Sequence, residues 1–547
     1  MLKKNQILTV TINGMTFAGF GVAHYSDEEL NRFAIFIQNA IEGDVIKCRI
    51  VKVQKTYAYG IIEEILEPSP ARIKPKCTVF EKCGGCVYLN ATYEEELKYK
   101  TRLAADSFRN ETYPHPEVLP CEPSPVTEHY RNKVTYPLSS DGKFGFYARN
   151  SHRCIVNTDC VQQYEEFVPI LKSAEEFIKN YNIAPYDEVS GKGVFRNLFM
   201  RRAEATGEIC VCAIINADKL PHEDKFIEEI SRITDVASIY INVNKKFGNE
   251  ILGKEFRCIW GKEKITEKLC GLDFKISPAA FFQINKAQTE KLYSYAIDSA
   301  EITEEDTVLD LYCGIGSITL TAASRSKTKE FVGIEIVPQA IEDAKENAKI
   351  NGIENVSFYC ADAETVKDVL KKNGKSLPSV IIVDPPRKGL GKETSQNIVD
   401  LNPKKVVYIS CNPLTQAQDL RTFVENGYKI EFIKPFDMFP RTQHVETVCL
   451  LSKLNAKQHI EIKLDMDELD LTDAEKKATY QEIKDYVLEH SGLKVSSLYV
   501  AQIKQKCGII ERENYNKPKS EDAKQPQCPP DKEKAIKEAL KHFGMIK

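Results

Sequence analysis

A cysteine and a glutamate near the carboxyl end of the chain could carry out covalent chemistry together. Cys411 follows an apolar run in the segment Ser410-Cys411-Asn412-Pro413, and Glu446 comes shortly after His444. A thiolate beside a cationic ligand is a strong nucleophile. A carboxylate within hydrogen-bond reach can remove a proton from the adduct that the thiolate forms. We therefore predict Cys411 as a nucleophile and Glu446 as a base, with His444 as the alternative base.

A glycine turn upstream of this pair predicts a nucleotide-type ligand. Gly314 and Gly316 follow an apolar strand and open a helix, so the backbone can approach a ligand and offer free N–H groups. Glu335 ends the next strand about 20 residues on, where ribose hydroxyls are held in such folds. NAD sites carry a third glycine where this chain has Thr319. The pattern therefore favours S-adenosylmethionine.

A second strand end supplies Asp384-Pro385-Pro386-Arg387. Two prolines stiffen the turn and fix the Asp384 carboxylate at the sheet edge where ligands bind. The motif resembles the Asp-Pro-Pro-aromatic signature of enzymes that methylate amino groups, but Arg387 replaces the aromatic ring. Carbon 5 of uracil, by contrast, needs a thiolate on carbon 6 before it can accept a methyl group, and Cys411 meets that need.

Three cysteines near residue 80 have the spacing of metal ligands. Cys77, Cys83 and Cys86 form Cys-x5-Cys-x2-Cys, and Gly84-Gly85 lets two sulfurs turn toward one ion. Cys160 is the predicted fourth ligand, with Cys154 second. Four thiolates suit either an iron–sulfur cluster or zinc, and the spacing leaves both open.

Length and composition limit the class of protein that could contain these sites. The chain has 547 residues, 75 basic and 79 acidic, which predicts three or four domains and argues against binding nucleic acid through bulk charge. It has no apolar run of about 18 residues or more, and its 17 cysteines fit a disulfide framework badly. We expect a cytoplasmic protein with no membrane segment.

Hydrophobic patterns predict an α/β multidomain fold with four parts. Short alternating runs predict a five-stranded β-barrel in residues 1–67. Residues 68–277 mix strands and helices, with a helix at 167–180 and a strand at 238–244. In residues 278–454, apolar strands alternating with helices predict a parallel sheet covered on both faces, with an antiparallel hairpin at its edge. Residues 455–547 are charged, with helices predicted at 473–490 and 532–542 and a link at 517–530.

Five parallel strands and the hairpin are predicted at these positions in residues 278–454: 307–311, 331–335, 356–359, 380–384, 405–410, 429–435 and 445–451.

Together the motifs resemble the RNA (uracil-C5)-methyltransferases, in particular the 23S ribosomal RNA branch, over about residues 1 to 454. The resemblance implies an N-terminal TRAM barrel of the OB type, a Rossmann-like seven-stranded methyltransferase sheet, and a [4Fe-4S] cluster on the four cysteines. It places Arg131 near the target nucleotide. It also implies S-adenosylmethionine contacts from a set of residues along the sheet edge: Gln283, Tyr312, Gly314, Ser317, Glu335, Asp362 and Asp384.

The expected function is therefore methyl transfer to carbon 5 of a uridine in RNA, with 23S rRNA as the leading substrate. We expect a monomer. Three alternatives stay open: a tRNA methyltransferase, a radical iron–sulfur enzyme that modifies tRNA, and an RNA-binding protein with an inactive methyltransferase fold. The radical enzymes use Cys-x3-Cys-x2-Cys, whereas five residues separate Cys77 from Cys83.

Overall fold

The computed structural model describes residues 2–26, 33–248, 250–454, 478, 480–509 and 528–546. The chain forms two compact units, Met1–Asn455 and Ala456–Lys547. None of the helices in these described stretches combines the length and apolar character needed to cross a membrane.

The N-terminal part is a β sheet around its own apolar core. Alternation places Ile35, Ile37 and Ala58 inside, each fully buried. The described residues form six strands, one more than predicted, because the two residues Gly14–Met15 add a short edge strand beside β3. In the order β1-β5-β6-β4-β3-β2, the sheet pairs strands with these bounds: Ile7–Thr11 (β1), Gly14–Met15 (β2), Gly21–Tyr25 (β3), Phe33–Ile37 (β4), Val45–Val53 (β5) and Tyr57–Glu67 (β6).

The middle part begins with helix α1 (Tyr93–Ser107) and contains a five-stranded sheet in the order β13-β12-β11-β10-β7. Helix α2 has the predicted bounds, and the strand predicted at 238–244 is β12. Two hairpins, β8–β9 and β14–β15, complete this part. The elements have these bounds: Lys133–Pro137 (β7), Gly145–Tyr147 (β8), Cys154–Val156 (β9), Phe167–Asn180 (α2), Phe195–Arg202 (β10), Ile209–Ile215 (β11), Glu223–Ser231 (α3), Val236–Val243 (β12), Glu255–Gly261 (β13), Ile265–Leu269 (β14) and Leu272–Ile276 (β15).

The last part of the first unit is the predicted seven-stranded sheet, in the order β18-β17-β16-β19-β20-β22-β21. Five strands are parallel, and β21 and β22 form the antiparallel hairpin. The α/β fold class is thus confirmed. The elements have these bounds: Lys286–Ala300 (α4), Thr307–Leu311 (β16), Ser317–Arg325 (α5), Glu330–Glu335 (β17), Pro338–Ile350 (α6), Val356–Cys360 (β18), Val366–Lys372 (α7), Val380–Val383 (β19), Gly391–Leu401 (α8), Lys405–Ser410 (β20), Pro413–Glu425 (α9), Tyr428–Phe436 (β21) and Glu446–Lys453 (β22).

Two details of this sheet differ from the prediction. Strand β19 ends at Val383, so Asp384 lies just beyond it, because the following prolines cannot continue the hydrogen-bond ladder. The hairpin returns so that β22 pairs with β20 and β21 forms the edge. Glu446, predicted to lie on an edge hairpin, therefore begins an interior strand.

The second unit is helical in its described residues. Its helices are Tyr480–Ser491 (α10), Ser497–Lys506 (α11) and Pro530–His542 (α12), which pack around Ile483, Val500 and Ile536. The predicted helix at 473–490 is described only from residue 480. Positions 473–477, and nearly all of the predicted link at 517–530, lie outside the described residues.

Candidate active site

The parallel strands bring three acidic residues to one edge of the sheet. Asp310 lies in β16, Glu335 ends β17, and Asp384 follows β19. Because β17, β16 and β19 are neighbours and run the same way, their carboxyl ends lie side by side. This edge is where open α/β sheets bind their ligands.

The register between β20 and β22 brings Cys411 toward Glu446. Ser410 pairs with Thr447, so the next position along β20 lies opposite the start of β22. Asn412 then begins helix α9: its side chain accepts a hydrogen bond from the backbone N–H of Leu414 at 3.2 Å and donates one to the carbonyl of Arg387 at 3.1 Å. The turn that carries Cys411 is thereby tied to the turn after Asp384.

The surroundings of Cys411 disfavour ionisation of both its thiol and the Glu446 carboxyl. The pKa of the Cys411 thiol is raised to about 12, chiefly by burial and then by the charges of Glu446 and Asp384, while Arg387 opposes the rise. Burial and Asp384 also hold the pKa of Glu446 well above its usual range, while Arg387 lowers it. The Glu446 carboxyl is buried, and its Oε2 has no hydrogen-bond partner among the described residues.

His444, the alternative base, faces the same arginine. Its Nε2 lies 3.3 Å from Arg387 Nη2. The pKa of His444 is lowered to about 4, chiefly by burial and to a smaller extent by the charges of Arg387 and Arg131. The imidazole is therefore neutral at pH 7 and a weak proton acceptor compared with Glu446.

The glycine turn adopts the backbone that was expected of it. Gly316 has φ +82° and precedes α5, and a Cβ there would lie 3.0 Å from the ring of Phe358. Gly314 N donates to Glu335 Oε2 at 3.3 Å, and Val337 N donates to Oε1 at 2.9 Å. The Glu335 carboxylate is thus fixed next to the turn.

The other predicted cofactor contacts occupy the same edge. Ser317 begins α5 and lies 3.0 Å from the hydroxyl of Tyr293. Asp362 accepts a hydrogen bond from Glu364 N at 3.0 Å and interacts electrostatically with Tyr312. Asp384, whose pKa is raised by burial, is hydrogen-bonded to Gln283.

These residues suit a ligand that carries positive charge. Burial raises the pKa of Asp310 to about 7, with smaller contributions from Asp384 and Glu335. Asp310 Oδ1 is buried and has no hydrogen-bond partner in the described chain, whereas Oδ2 accepts from Thr319 at 2.5 Å. A sulfonium and an ammonium group would relieve this excess of acid. The donor set therefore fits S-adenosylmethionine.

Comparison with known proteins agrees with this chemistry. Residues 253–454 match the family described as tRNA (Uracil-5-)-methyltransferase, and residues 2–62 match the TRAM domain. An uncharacterized RNA methyltransferase of Halalkalibacterium halodurans is 38% identical over 83% of this chain and 98% of its own, and one of Clostridium tetani is 37% identical over 84% and 98%.

The chain belongs to the TRAM-containing RNA (uracil-5)-methyltransferases.

A solved structure supports the same assignment. The Pyrococcus abyssi tRNA (uracil-54, C5)-methyltransferase in complex with S-adenosyl-L-homocysteine is similar with a TM-score of 0.65 and 25% identity, over 81% of this chain and all of that one. The protein is therefore an S-adenosylmethionine-dependent RNA methyltransferase. The predicted family, fold class and type of enzyme are confirmed.

The predicted metal ligands of this methyltransferase lie near one another. Cys160 and Cys83 raise the pKa of Cys86, although burial contributes more, and Cys160 in turn is affected by Cys83 and Cys77. Cys154, the second candidate for the fourth ligand, is also affected by Cys83, and its sulfur lies 3.8 Å from the carbonyl of Pro137. Among the described residues, however, no group of three or more Cys, His, Asp or Glu side chains is arranged so that it could hold a metal ion. The cluster stays a prediction.

The charge of Arg131 acts on two of these cysteines and on the alternative base. Its guanidinium lowers the pKa of the Cys86 and Cys160 thiols, and also that of His444. Arginine side chains commonly contact the phosphates of nucleic acids. Its predicted role in RNA binding stays a prediction.

Sequence reasoning did not assign some residues that shape the site. Arg387 was recognised only as a departure from an aromatic residue, yet it lies in the field of Cys411, Glu446 and His444. Tyr293 lies on the buried face of α4, where an aromatic residue is normally a core residue. For Arg387 the signal was present, since a cation next to the Asp-Pro-Pro turn must point toward ligand or water.

Proposed function

We propose that the protein methylates carbon 5 of a uridine in RNA, with 23S rRNA as the leading substrate, through a covalent bond between Cys411 and carbon 6. The observation that carries this proposal is the β20–β22 register, which puts Ser410 opposite Thr447 and so brings Cys411 toward Glu446. The acidic sheet edge that suits the methyl donor lies on the same side.

The proposed reaction divides the work between three side chains. Arg387 favours the thiolate of Cys411, whose sulfur attacks carbon 6 while the electron pair moves onto carbon 5 and the carbonyl oxygen. S-adenosylmethionine would supply the methyl group to carbon 5 as an electrophilic sulfonium and would leave as S-adenosylhomocysteine. Glu446, in its carboxylate form, removes the proton from carbon 5. The C6–S bond then breaks and the thiolate leaves, which restores the C5=C6 double bond of the methylated uracil.

We also propose roles for the residues that line the sheet edge and for Arg131. Gln283, Tyr312, Gly314, Ser317, Glu335, Asp362 and Asp384 hold S-adenosylmethionine, and Arg131 contacts the RNA. The proposed division is residues 1–67 for the TRAM barrel, 68–277 for the middle domain, 278–454 for the methyltransferase domain and 455–547 for an extension. We further propose that the enzyme is a cytoplasmic monomer.

Cys77, Cys83, Cys86 and Cys160 are proposed to hold a [4Fe-4S] cluster, with zinc as the alternative. Support comes from the proximity of these side chains, since Cys77, Cys83 and Cys160 each act on Cys86, and from the fact that four thiolates are a common ligand set for both kinds of site. Iron, zinc and sulfide analysis of protein purified without oxygen decides between the two. Loss of the metal from Cys86→Ser, but not from the Cys154→Ser control, is the expected result.

A tRNA substrate is the second candidate, favoured by the similarity to the Pyrococcus abyssi tRNA (uracil-54, C5)-methyltransferase. Wild-type enzyme with labelled methyl donor can be offered transcripts of 23S rRNA and of tRNA in parallel. Methyl incorporation into only one of them identifies the substrate class.

Trapping the adduct tests the mechanism. Glu446→Gln should accumulate a protein–RNA adduct that survives denaturing electrophoresis, because the carbon 5 proton stays in place. Cys411→Ala should form no adduct and lose at least about 10³-fold in methyl transfer. Cys360→Ala, at an exposed cysteine near the same sheet edge, serves as control and should behave as wild type. Methyl transfer by Cys411→Ala at the wild-type rate would refute the proposal.

A further inference from the structure

Four aromatic side chains lie together on the outside of the N-terminal sheet. Phe36 in β4 pairs in register with Tyr59 in β6, and both point away from the core that Ile35 and Ala58 fill. We name Phe20, Phe36, Tyr57 and Tyr59 the aromatic patch. The outer face of a sheet next to solvent is normally polar, so adjacent half-buried rings there are unusual.

The rings contact one another without closing over a core. Phe36 lies 5.4 Å from Tyr57 and 6.0 Å from Tyr59, centroid to centroid, and Phe20 lies 6.0 Å from Tyr59. The rings are tilted or edge-on to one another, so ring faces remain partly open. Such a surface can accept further flat rings by stacking.

Cations flank the aromatic patch. The Arg149 guanidinium lies 5.4 Å from the centroid of Phe20, and Lys52 pairs in register with Tyr59. Bases stack on aromatic rings whatever their sequence, and neighbouring cations attract the phosphates that link them. A partner that combines flat rings with negative charge fits this surface better than an apolar protein face does.

The segment of residues 83–88 connects the surroundings of the patch to the loop before β22. A Cβ on Gly84 would lie 2.9 Å from the backbone nitrogen of Arg149. Further along the segment, Val87 N donates a hydrogen bond to the carbonyl of Arg441 at 2.8 Å. The patch and the loop that carries the candidate base are thus joined through one short segment.

We propose that the aromatic patch, with Arg149, stacks unpaired bases of the RNA whose uridine reaches Cys411. The inference rests on the proposed function for the identity of that uridine, but binding at the patch is separate from methyl transfer. The patch contributes affinity for single-stranded segments, and Arg131 and Arg387 serve the strand nearer the reacting base.

Binding of model RNAs tests this surface. Fluorescence anisotropy would measure the affinity of the full chain for a single-stranded oligouridylate of about 12 nucleotides and for a duplex of the same length. The double variant Phe36→Leu/Tyr57→Leu keeps apolar bulk but removes two rings, so we expect its Kd for the single strand to rise about tenfold or more. Binding of the duplex should change less than twofold.

Three further variants make the result decisive. Phe247→Leu removes an exposed ring that does not belong to the N-terminal sheet, and this variant should bind the single strand as the wild type does. Arg149→Met should weaken single-strand binding about threefold to tenfold. Cys411→Ala should retain full binding, which separates failure of the patch from failure of the proposed chemistry.

Two results would overturn the inference. One is unchanged single-strand affinity in the double variant at an unchanged melting temperature. The other is a wild-type dimer that the double variant converts to monomer, which would assign the patch to a second copy of the chain. Should the double variant melt early, Tyr57→Phe and Phe36→Tyr should both keep wild-type affinity if stacking is the cause.

Discussion

Two groups of buried charges in the same unit are arranged in opposite ways. The paired group consists of Glu96 and Lys100 of α1 with Asp437 and Arg441 from the loop before β22. Lys100 is fully buried, and its Nζ lies 2.8 Å from Glu96 Oε1 and 2.5 Å from Asp437 Oδ1. The Arg441 backbone N–H donates to Glu96 at 2.7 Å. Here each charge meets its opposite.

The active-site group has an excess of acid instead. Asp310, Asp384, Glu446 and the Cys411 thiol all have a pKa raised chiefly by burial, as Glu96 of the paired group also has, but none of these four forms an ion pair among the described residues. Arg387 lowers the pKa of two of them. Buried acids without an ion-pair partner destabilise a fold, so a fold that retains them does so for a ligand or a reaction. The paired group therefore stabilises the fold, whereas the active-site group is arranged to interact with a ligand or substrate.

The paired group also determines where the active-site group lies. Its loop, residues 437–445, leads directly into Glu446 and carries His444. The carbonyl of Arg441 accepts hydrogen bonds from Val87 N at 2.8 Å and Tyr88 N at 3.1 Å, two residues that directly follow Cys86. Tyr130 donates to the carbonyl of Pro440 at 2.9 Å. The middle part of the chain therefore holds the loop that delivers the candidate base.

The largest effect is expected from Lys100→Met. Removing the lysine leaves Glu96 and Asp437 buried together without it, so we expect the free energy of unfolding to fall by about 3–5 kcal/mol. Urea denaturation followed by circular dichroism measures the change. Lys98→Met is the matched control, because that side chain on the same helix is 73% exposed and forms its ion pair with Glu95 at the surface. Its unfolding free energy should stay close to that of the wild type, because exposed ion pairs contribute little. Equal losses would show that the paired group does not stabilise the fold.

The sequence could not reveal this paired group. Glu96 and Lys100 stand in a run of charged residues that is typical of a solvated helix face, and Asp437 is 337 positions away from Lys100. Only tertiary packing distinguishes Lys100 from the exposed Lys98. Periodicity, by contrast, gave the bounds of α2 without error and those of the catalytic strands to within two residues, because burial on both faces leaves a strong apolar signal.

The site was predictable to the extent that it lies at strand ends. The residues following β16, β17, β19 and β20 could be placed at one edge because parallel strands share a direction. The pairing of Cys411 with Glu446 could not, since it depends on the register of an antiparallel return and on β22 entering the sheet beside β20. The sixth N-terminal strand was missed because two residues carry no alternation.

An intermediate effect is expected from Glu446→Gln on stability. The folded pKa of Glu446 lies well above the unfolded value of about 4.3, so the wild type loses stability as pH rises from about 4 toward the folded pKa. Glutamine does not titrate, and this part of the loss should disappear. We expect a variant about 1 kcal/mol more stable than wild type at pH 8 and no more stable at pH 4.5. Melting temperatures across this range measure it.

Glu304→Gln, at an exposed position before β16, is the control and should follow the wild-type curve. A Glu446→Gln variant that is less stable at pH 8 would mean that Glu446 stabilises the fold as an ion. The active-site group would then resemble the paired group, and the contrast between them would fail.

The smallest effect concerns the arginine that faces both candidate bases. Arg387 Nη2 lies 3.3 Å from His444 Nε2, and its charge contributes to a His444 pKa of about 4. In Arg387→Met that repulsion is lost while burial remains, so the pKa of His444 should rise by roughly one unit yet stay below 6.5. Proton NMR titration of the imidazole, assigned with His444→Asn, measures it, and Arg387→Lys should shift it less. An unchanged pKa in Arg387→Met would mean that burial alone keeps His444 neutral, and that the field of Arg387 acts on Cys411 and Glu446 without reaching the histidine.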